Sequence, residues 1–146
     1  MKSVMFQVPG KPQGKARART VRNSKTGGSF SYTPENTVLY ENLVKAMYIN
    51  QARGTRFEKD KPVAVSIVAR FLPPASASKK KQRQMLDGDI LPLKKPDIDN
   101  IVKTILDALN GVAYQDDTQV ASVTAVKTYS AIECVDVVLK EYEAGK

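Results

Sequence analysis

The chain has 146 residues, with 23 Lys and Arg against 15 Asp and Glu, a formal charge of +8, no histidine and one cysteine, Cys134. Those absences exclude zinc clusters, Cys–His nucleophiles, Ser–His–Asp triads and histidine-based nucleases. Catalysis, if present, must use carboxylates, Lys, Arg, hydroxyl groups or a bound hard metal.

The length suits a single domain over residues 1–146. No apolar run approaches the ~18–20 residues of a membrane span. Residues 1–11 are too short and too alternating for a signal peptide. One cysteine builds no intrachain disulfide framework, and Cys134, in a β-branched stretch, reads as a small buried hydrophobe. The expectation is a cytoplasmic protein with no membrane partner and no small-molecule cofactor.

Taken in order, residues 3–8 alternate and stop at Pro9 and Gly10, which predicts a short strand. Residues 10–33 form a basic loop and small hairpin, carrying Lys11, Lys15, Arg17, Arg19, Arg22 and Lys25 around a turn at residues 23–28. Thr33 as N-cap, Pro34 in the first turn and Glu35 behind it predict a helix start. Leu39, Leu43, Ala46 and Met47 recur at helical spacing, Tyr40 and Tyr48 pack from the same helix, and Gly54 stops it. Residues 63–72 alternate between Pro62 and Pro73 and predict a strand.

Residues 74–94 form a basic insert. Within it, residues 76–87 read as a short helix carrying Lys79, Lys80, Lys81 and Arg83 and closed by Gly88. Ile98, Ile101, Val102, Ile105 and Leu109 share one helical face, and Asn110 and Gly111 end that helix. Residues 118–129 and 132–142 read as two strands, expected to be antiparallel neighbours. The fold class is α/β (α+β), a two-layer sandwich with helices on a mixed sheet.

Charge is unevenly spread. Residues 1–34 sum to +7, residues 35–96 to +6 and residues 97–146 to −5. A solvated surface accounts for such an excess, and so does a polyanion-binding face beside a compact set of acids.

The acids concentrate in residues 95–120. On an extended entry behind Pro96, Asp97 and Asp99 would turn to one side at i, i+2 spacing. A βαβ-like return would then bring Asp117, next to Asp116, back beside them. Like charges ~4 Å apart repel by about 4 kcal/mol at an effective dielectric near 20, so converging carboxylates call for a cation. Oxygen-only ligands favour Mg²⁺, with Mn²⁺ as a substitute. Lys103, one turn beyond Asp99, could pair with it or reach a phosphate. By spacing alone the plainer readings lead: Asp97 and Asp99 as helix caps, Asp116 and Asp117 as a polar turn, and Asp99, Lys103 and Asp107 as surface pairs.

The gapped pattern K-P-D-I-D-N-I-V-K-x3-D-A-L-N-G-V-A-Y-Q-D-D-x-Q-V, covering residues 95–120, resembles the RusA family of Holliday junction resolvases. A turn at Pro9 and Gly10, an Arg-rich segment and a helix start after Tyr32 add looser similarity. The resemblance implies a Mg²⁺-dependent, homodimeric endodeoxyribonuclease that nicks opposing strands of four-way junction DNA. It matches Asp97, Asp99 and Asp117 to metal-binding acids, Lys103 to an essential lysine, and Asp116 to a further acid. DNA contacts are expected from Lys11, Lys15, Arg17, Arg19, Arg22, Lys79, Lys80, Lys81, Arg83 and Lys95. Two departures stand out: residues 74–94 are longer than in the shortest members, and Pro96 replaces a basic residue before the first acid. The alternatives are a non-catalytic nucleic-acid-binding module and a metal nuclease for other branched DNA.

Overall fold

Alternation sets the strands. In the computed structural model, which describes residues 1–16, 19–32 and 34–144 (Arg19, Phe30 and Tyr32 by backbone alone), β1 (Ser3–Pro9) buries Val4, Phe6 and Val8. A two-stranded hairpin follows, β2 (Arg19–Arg22) paired with β3 (Ser29–Tyr32), its turn closed by the Asn23 amide donating to Gly28 O at 2.6 Å. Helix α1 (Glu35–Ala52) begins directly after Pro34. The expected N-cap, Thr33, lies outside the described residues.

The buried stripe of α1 is Thr37, Tyr40, Val44, Tyr48 and Ala52, so both tyrosines do pack from the helix. Leu39, placed on the core face by its spacing, is instead 60% exposed, while Leu43 and Met47 are only partly buried. Apolar residues surround this helix, so periodicity alone does not select its inner face. The tyrosines do, because their rings bury the most surface. Tyr48 meets Phe6 edge to face at 5.3 Å and donates its hydroxyl to Thr55 O at 2.6 Å.

After β4 (Val63–Phe71) comes the short helix α2 (Lys79–Leu86), capped by the Ser78 hydroxyl accepting from the Lys81 amide at 3.2 Å. Then α3 (Ile98–Leu109) buries Ile101, Ile105 and Leu109. Ile98, expected on that face, is 41% exposed because it sits in the first turn, ahead of the packed stripe. A 3₁₀ turn at Asp117–Gln119 leads into β5 (Val120–Tyr129), and β6 (Cys134–Glu141) closes the chain.

The main sheet has the order β1-β6-β4-β5. β6 is antiparallel to both β1 and β4, whereas β5 runs parallel to β4. The last two strands are therefore not neighbours, contrary to the expectation from sequence, since β4 lies between them. The parallel β4–β5 pair requires a crossover, and the segment carrying α2 and α3 supplies it. Helices α1 and α3 contact each other and pack over β1 and β5. Between helices and sheet lies a core that includes Val65, Ile67, Val137, Leu139 and the buried faces of both helices. Cys134 is a buried free thiol, as its setting suggested. No helix among the described residues is long and apolar enough to cross a membrane.

Candidate active site

The acids and bases singled out by sequence occupy both ends of α3. At its N-terminus, Asp97 is the capping residue, with extended backbone (φ −68°, ψ 148°), and its carbonyl accepts from the Ile101 amide at 3.1 Å. Its carboxylate makes no capping hydrogen bond. Asp99 is already in the first turn, so the extended i, i+2 arrangement expected of the pair does not form. The helix starts this early because Ile101 and Ile105 must reach the core. Both carboxylates stay exposed, where the helix dipole favours them.

The basic loop lies against this helix end. Lys11, Lys15, Asn36, Lys95, Asp97 and Asn100 line an open groove of about 980 Å³. Backbone contact holds the loop there: the Lys15 amide donates to Asn100 O at 3.0 Å, and the Ala16 amide to Thr37 Oγ1 at 3.3 Å. Such close approach requires glycine at position 14. A Cβ there would lie 2.8 Å from Pro96 Cβ and 3.0 Å from Asn100 Cβ. Sequence reasoning passed over Gly14, Asn36 and Asn100. The only available signal was a glycine inside an otherwise basic run, and an asparagine directly after the DxD.

Lys15 enters the groove wall but spends its charge internally. Its ammonium lies 3.2 Å from Asp107 Oδ2 and 3.3 Å from Glu41 Oε1, with 22% of the side chain exposed. Burial works against that charge, but the two carboxylates outweigh it and raise the lysine above its ordinary range. Asp107 is thus paired across 92 residues of sequence, not with Lys103 as its spacing suggested. Lys103 is exposed and forms no ion pair among the described residues.

Beyond the other end of α3, Gly111 reverses the chain with φ 78°, and its amide donates to Tyr114 O at 2.9 Å. Asp116 caps the 3₁₀ turn, accepting from the Thr118 amide at 3.3 Å, while Gln119 Oε1 accepts from the Asp116 amide at 3.2 Å. Gln119 also donates to Glu58 O at 2.7 Å, tying this corner to the loop before β4. Asp117 is pushed above the usual carboxylate range, first by a hydrogen bond with the Asp116 side chain, then by burial and by the charges of Asp116 and Asp107. Beneath them, burial and the same three acids push the Tyr114 hydroxyl up, and it donates to Leu106 O at 2.8 Å.

The expected return of Asp117 to Asp97 and Asp99 does not occur within the chain. In sequence, the twelve residues of α3, about 18 Å of helix, stand between the two acid pairs. Among the described residues, no three Asp, Glu, Cys or His side chains stand close enough to share one metal ion. A three-carboxylate metal site therefore does not fit a single copy of this chain.

Of the remaining basic residues, Lys79, Lys80, Lys81 and Arg83 are exposed on α2, a helix that buries Met85 and lies near β5. Arg22 is exposed on the hairpin. Arg17 and the side chain of Arg19 lie outside the described residues.

The family model described as endodeoxyribonuclease RusA matches residues 9–140. A Bacillus subtilis (strain 168) protein described as uncharacterized protein YqaN is 34% identical over 147 residues, covering 99% of this chain and 100% of its own length.

Proposed function

The chain belongs to the RusA endodeoxyribonuclease family, and from that premise we propose that it resolves Holliday junctions by paired nicks, acting with Mg²⁺ and with Mn²⁺ as a substitute. The observation that carries this reading is the groove at the N-terminus of α3. There Asp97, whose carboxylate makes no capping hydrogen bond, lines the groove with Lys11, Lys95 and Asn100, beside a loop whose Lys15 amide donates to Asn100 O.

Such a groove suits a phosphodiester. Lysines fixed beside the scissile group offset the charge that grows on phosphoryl oxygens as water attacks phosphorus and the P–O bond breaks. In this reading Lys11 and Lys95 bind the DNA backbone beside Asp97, and the family resemblance supplies Asp97, Asp99, Asp117 and Lys103 as the catalytic set, with Asp116 as a supporting acid. The exposed cations of α2 and the hairpin lie outside the groove and hold the junction arms through phosphate contacts. Recognition then rests on the shape of the branched DNA, and a homodimer matches its two-fold symmetry.

The test compares synthetic four-way, three-way and linear DNA, each with Mg²⁺ and with EDTA. Symmetrical nicking of the four-way junction, lost in EDTA and in Asp97→Asn, is the expected result. Equal cleavage in EDTA refutes the metal requirement, and preference for three-way DNA reassigns the substrate. Binding without any cleavage makes the protein a non-catalytic module.

A further inference from the structure

Beside the groove, the parallel pair β4–β5 ends in a second hollow. Phe71 and Tyr129 are the last residues of their strands and partners in register. With Pro74 and Pro92 they line a cavity of about 230 Å³. Open α/β sheets bind ligands beyond the carboxyl ends of their parallel strands. Lys11 and Lys95 line both this hollow and the groove, so the two spaces adjoin. A DNA strand with one phosphate in the groove has its next nucleotide within reach of the hollow.

Hydrogen bonds fix the borders of the hollow. The Ser130 amide donates to Phe71 O at 2.8 Å, and the Gly10 amide to Glu133 O at 3.2 Å. Lys127 Nζ donates to Lys94 O at 2.5 Å and stands 5.9 Å from the centre of the Phe71 ring. A cavity held this way costs little ordering when it is filled.

Its chemistry selects the occupant. Aromatic and proline side chains suit a flat ring, since every base has a face that stacks. Glu133, the one acid of the lining, would repel a second phosphate, and it has no ion-pair partner among the described residues. The volume lies below the ~300–1,000 Å³ of pockets for larger ligands, so it admits one base and not a base pair.

We propose that this hollow receives one unstacked base of the strand being cut, with Tyr129 as its stacking surface. The Glu133 carboxylate accepts a hydrogen bond from an exocyclic amino group of that base. Thymine has no such group. This rests on the nuclease reading of the adjoining groove and adds how the substrate is selected. Drawing a base out of a continuous duplex costs both pairing and stacking, and the cost falls where stacking is already broken, as at a branch point. Pro74, Pro92 and Lys94 belong to the basic insert at residues 74–94, so that segment shapes the hollow as well as carrying cations.

Binding without cleavage tests this. Wild type, Glu133→Gln and Tyr129→Ala are titrated in EDTA with a linear duplex and with four-way junctions differing only in the bases that flank the crossing. At one of those positions wild type should bind thymine about tenfold more weakly than cytosine. Glu133→Gln can also donate to a thymine oxygen, and it should level that difference at an unchanged melting temperature. Tyr129→Ala should lose about tenfold on the junction and little on the duplex. Glu133→Gln preserves side-chain size, so its result stands even where Tyr129→Ala fails to fold.

Equal wild-type affinity for every base at every flanking position overturns the proposal. A preference that survives Glu133→Gln overturns it too, as do equal losses on junction and duplex in folded Tyr129→Ala. Repeating the series with Mg²⁺ separates the two readings. Metal-dependent nicking with no base preference keeps the nuclease and removes the base hollow. A preference levelled by Glu133→Gln, with no nicking of any DNA, upholds the hollow and overturns the nuclease reading.

Discussion

The Lys15 ammonium lies 3.2 Å from Asp107 Oδ2, joining the basic N-terminal loop to the second half of α3. Glu41 of α1, 3.3 Å away, completes a three-element clamp. A lysine expected to hold DNA is thereby committed to holding the loop that forms the groove. Replacing Lys15 with Met should lower stability by about 1–2 kcal/mol, the cost of leaving partly buried carboxylates without their hydrogen-bonding cation. Urea unfolding of Lys15→Met, Asp107→Asn and the double variant checks this. The double variant should lose less than the sum of the two single changes.

Gly14 sets how closely that loop approaches α3. Gly14→Ala would place a methyl group 2.8 Å from Pro96 Cβ, and neither neighbour is the far end of a flexible side chain. The loop must lift, stretching the bond from the Lys15 amide to Asn100 O. Overpacking of this kind costs about 1–3 kcal/mol. Faster hydrogen exchange at the Lys15 amide and reduced junction cleavage, with Asp97 untouched, are the expected signs.

The α2 cations are exposed and free to meet phosphate. If Lys79, Lys80 and Lys81 each neutralise one phosphate, changing all three to Gln should reduce the slope of log K against log[salt] by about 2.7. Binding measured from low to moderate salt gives the slope. An unchanged slope assigns those lysines to solubility alone.

A hydrogen bond with the Asp116 side chain, then burial and the charges of Asp116 and Asp107, raises the Asp117 pKa above the ordinary carboxylate value. A raised acid pKa means the folded state holds the proton more tightly, so ionisation at neutral pH destabilises the fold. Asp117→Asn removes that charge and should leave the melting temperature equal or higher while abolishing cleavage. A large fall in melting temperature would show that the residue is needed for folding rather than for chemistry.

Burial pushes the Tyr40 hydroxyl up to about 12. An unfolded tyrosine ionises near 10, so between those values the unfolded state releases the proton and the folded state retains it. Stability from this group is present below pH 10 and falls as pH rises toward 12, by at most about 1.4 kcal/mol per pH unit. Tyr40→Phe should flatten that decline in denaturation curves taken between pH 9 and 11.

Much of this molecule is local and was therefore legible from sequence. Alternating Val4, Phe6 and Val8 specify a half-buried strand, and the spacing of Ile101, Ile105 and Leu109 specifies a helix. Gly88 and Gly111 mark chain reversals because their positive φ is open to glycine at no steric cost. The inner face of α1 was not legible, since apolar side chains surround that helix and ring packing made the choice. Nor was strand order. Two consecutive strands look like neighbours until the crossover places β5 on the far side of β4.

The site divides in the same way. Sequence by itself determined the chemistry: without histidine, and with one buried cysteine, only oxygen ligands and lysines were available. The 95–120 motif marked Asp97, Asp99, Asp116 and Asp117 as candidate acids. Only the tertiary structure decided which of them meet. Among the described residues it gathers no three acids into one cluster that could hold a metal. Lys15, Glu41 and Asp107 meet because three packed elements bring them together. Spacing along a chain constrains neighbours within a turn or a strand, and contacts between elements depend on how their buried faces pack.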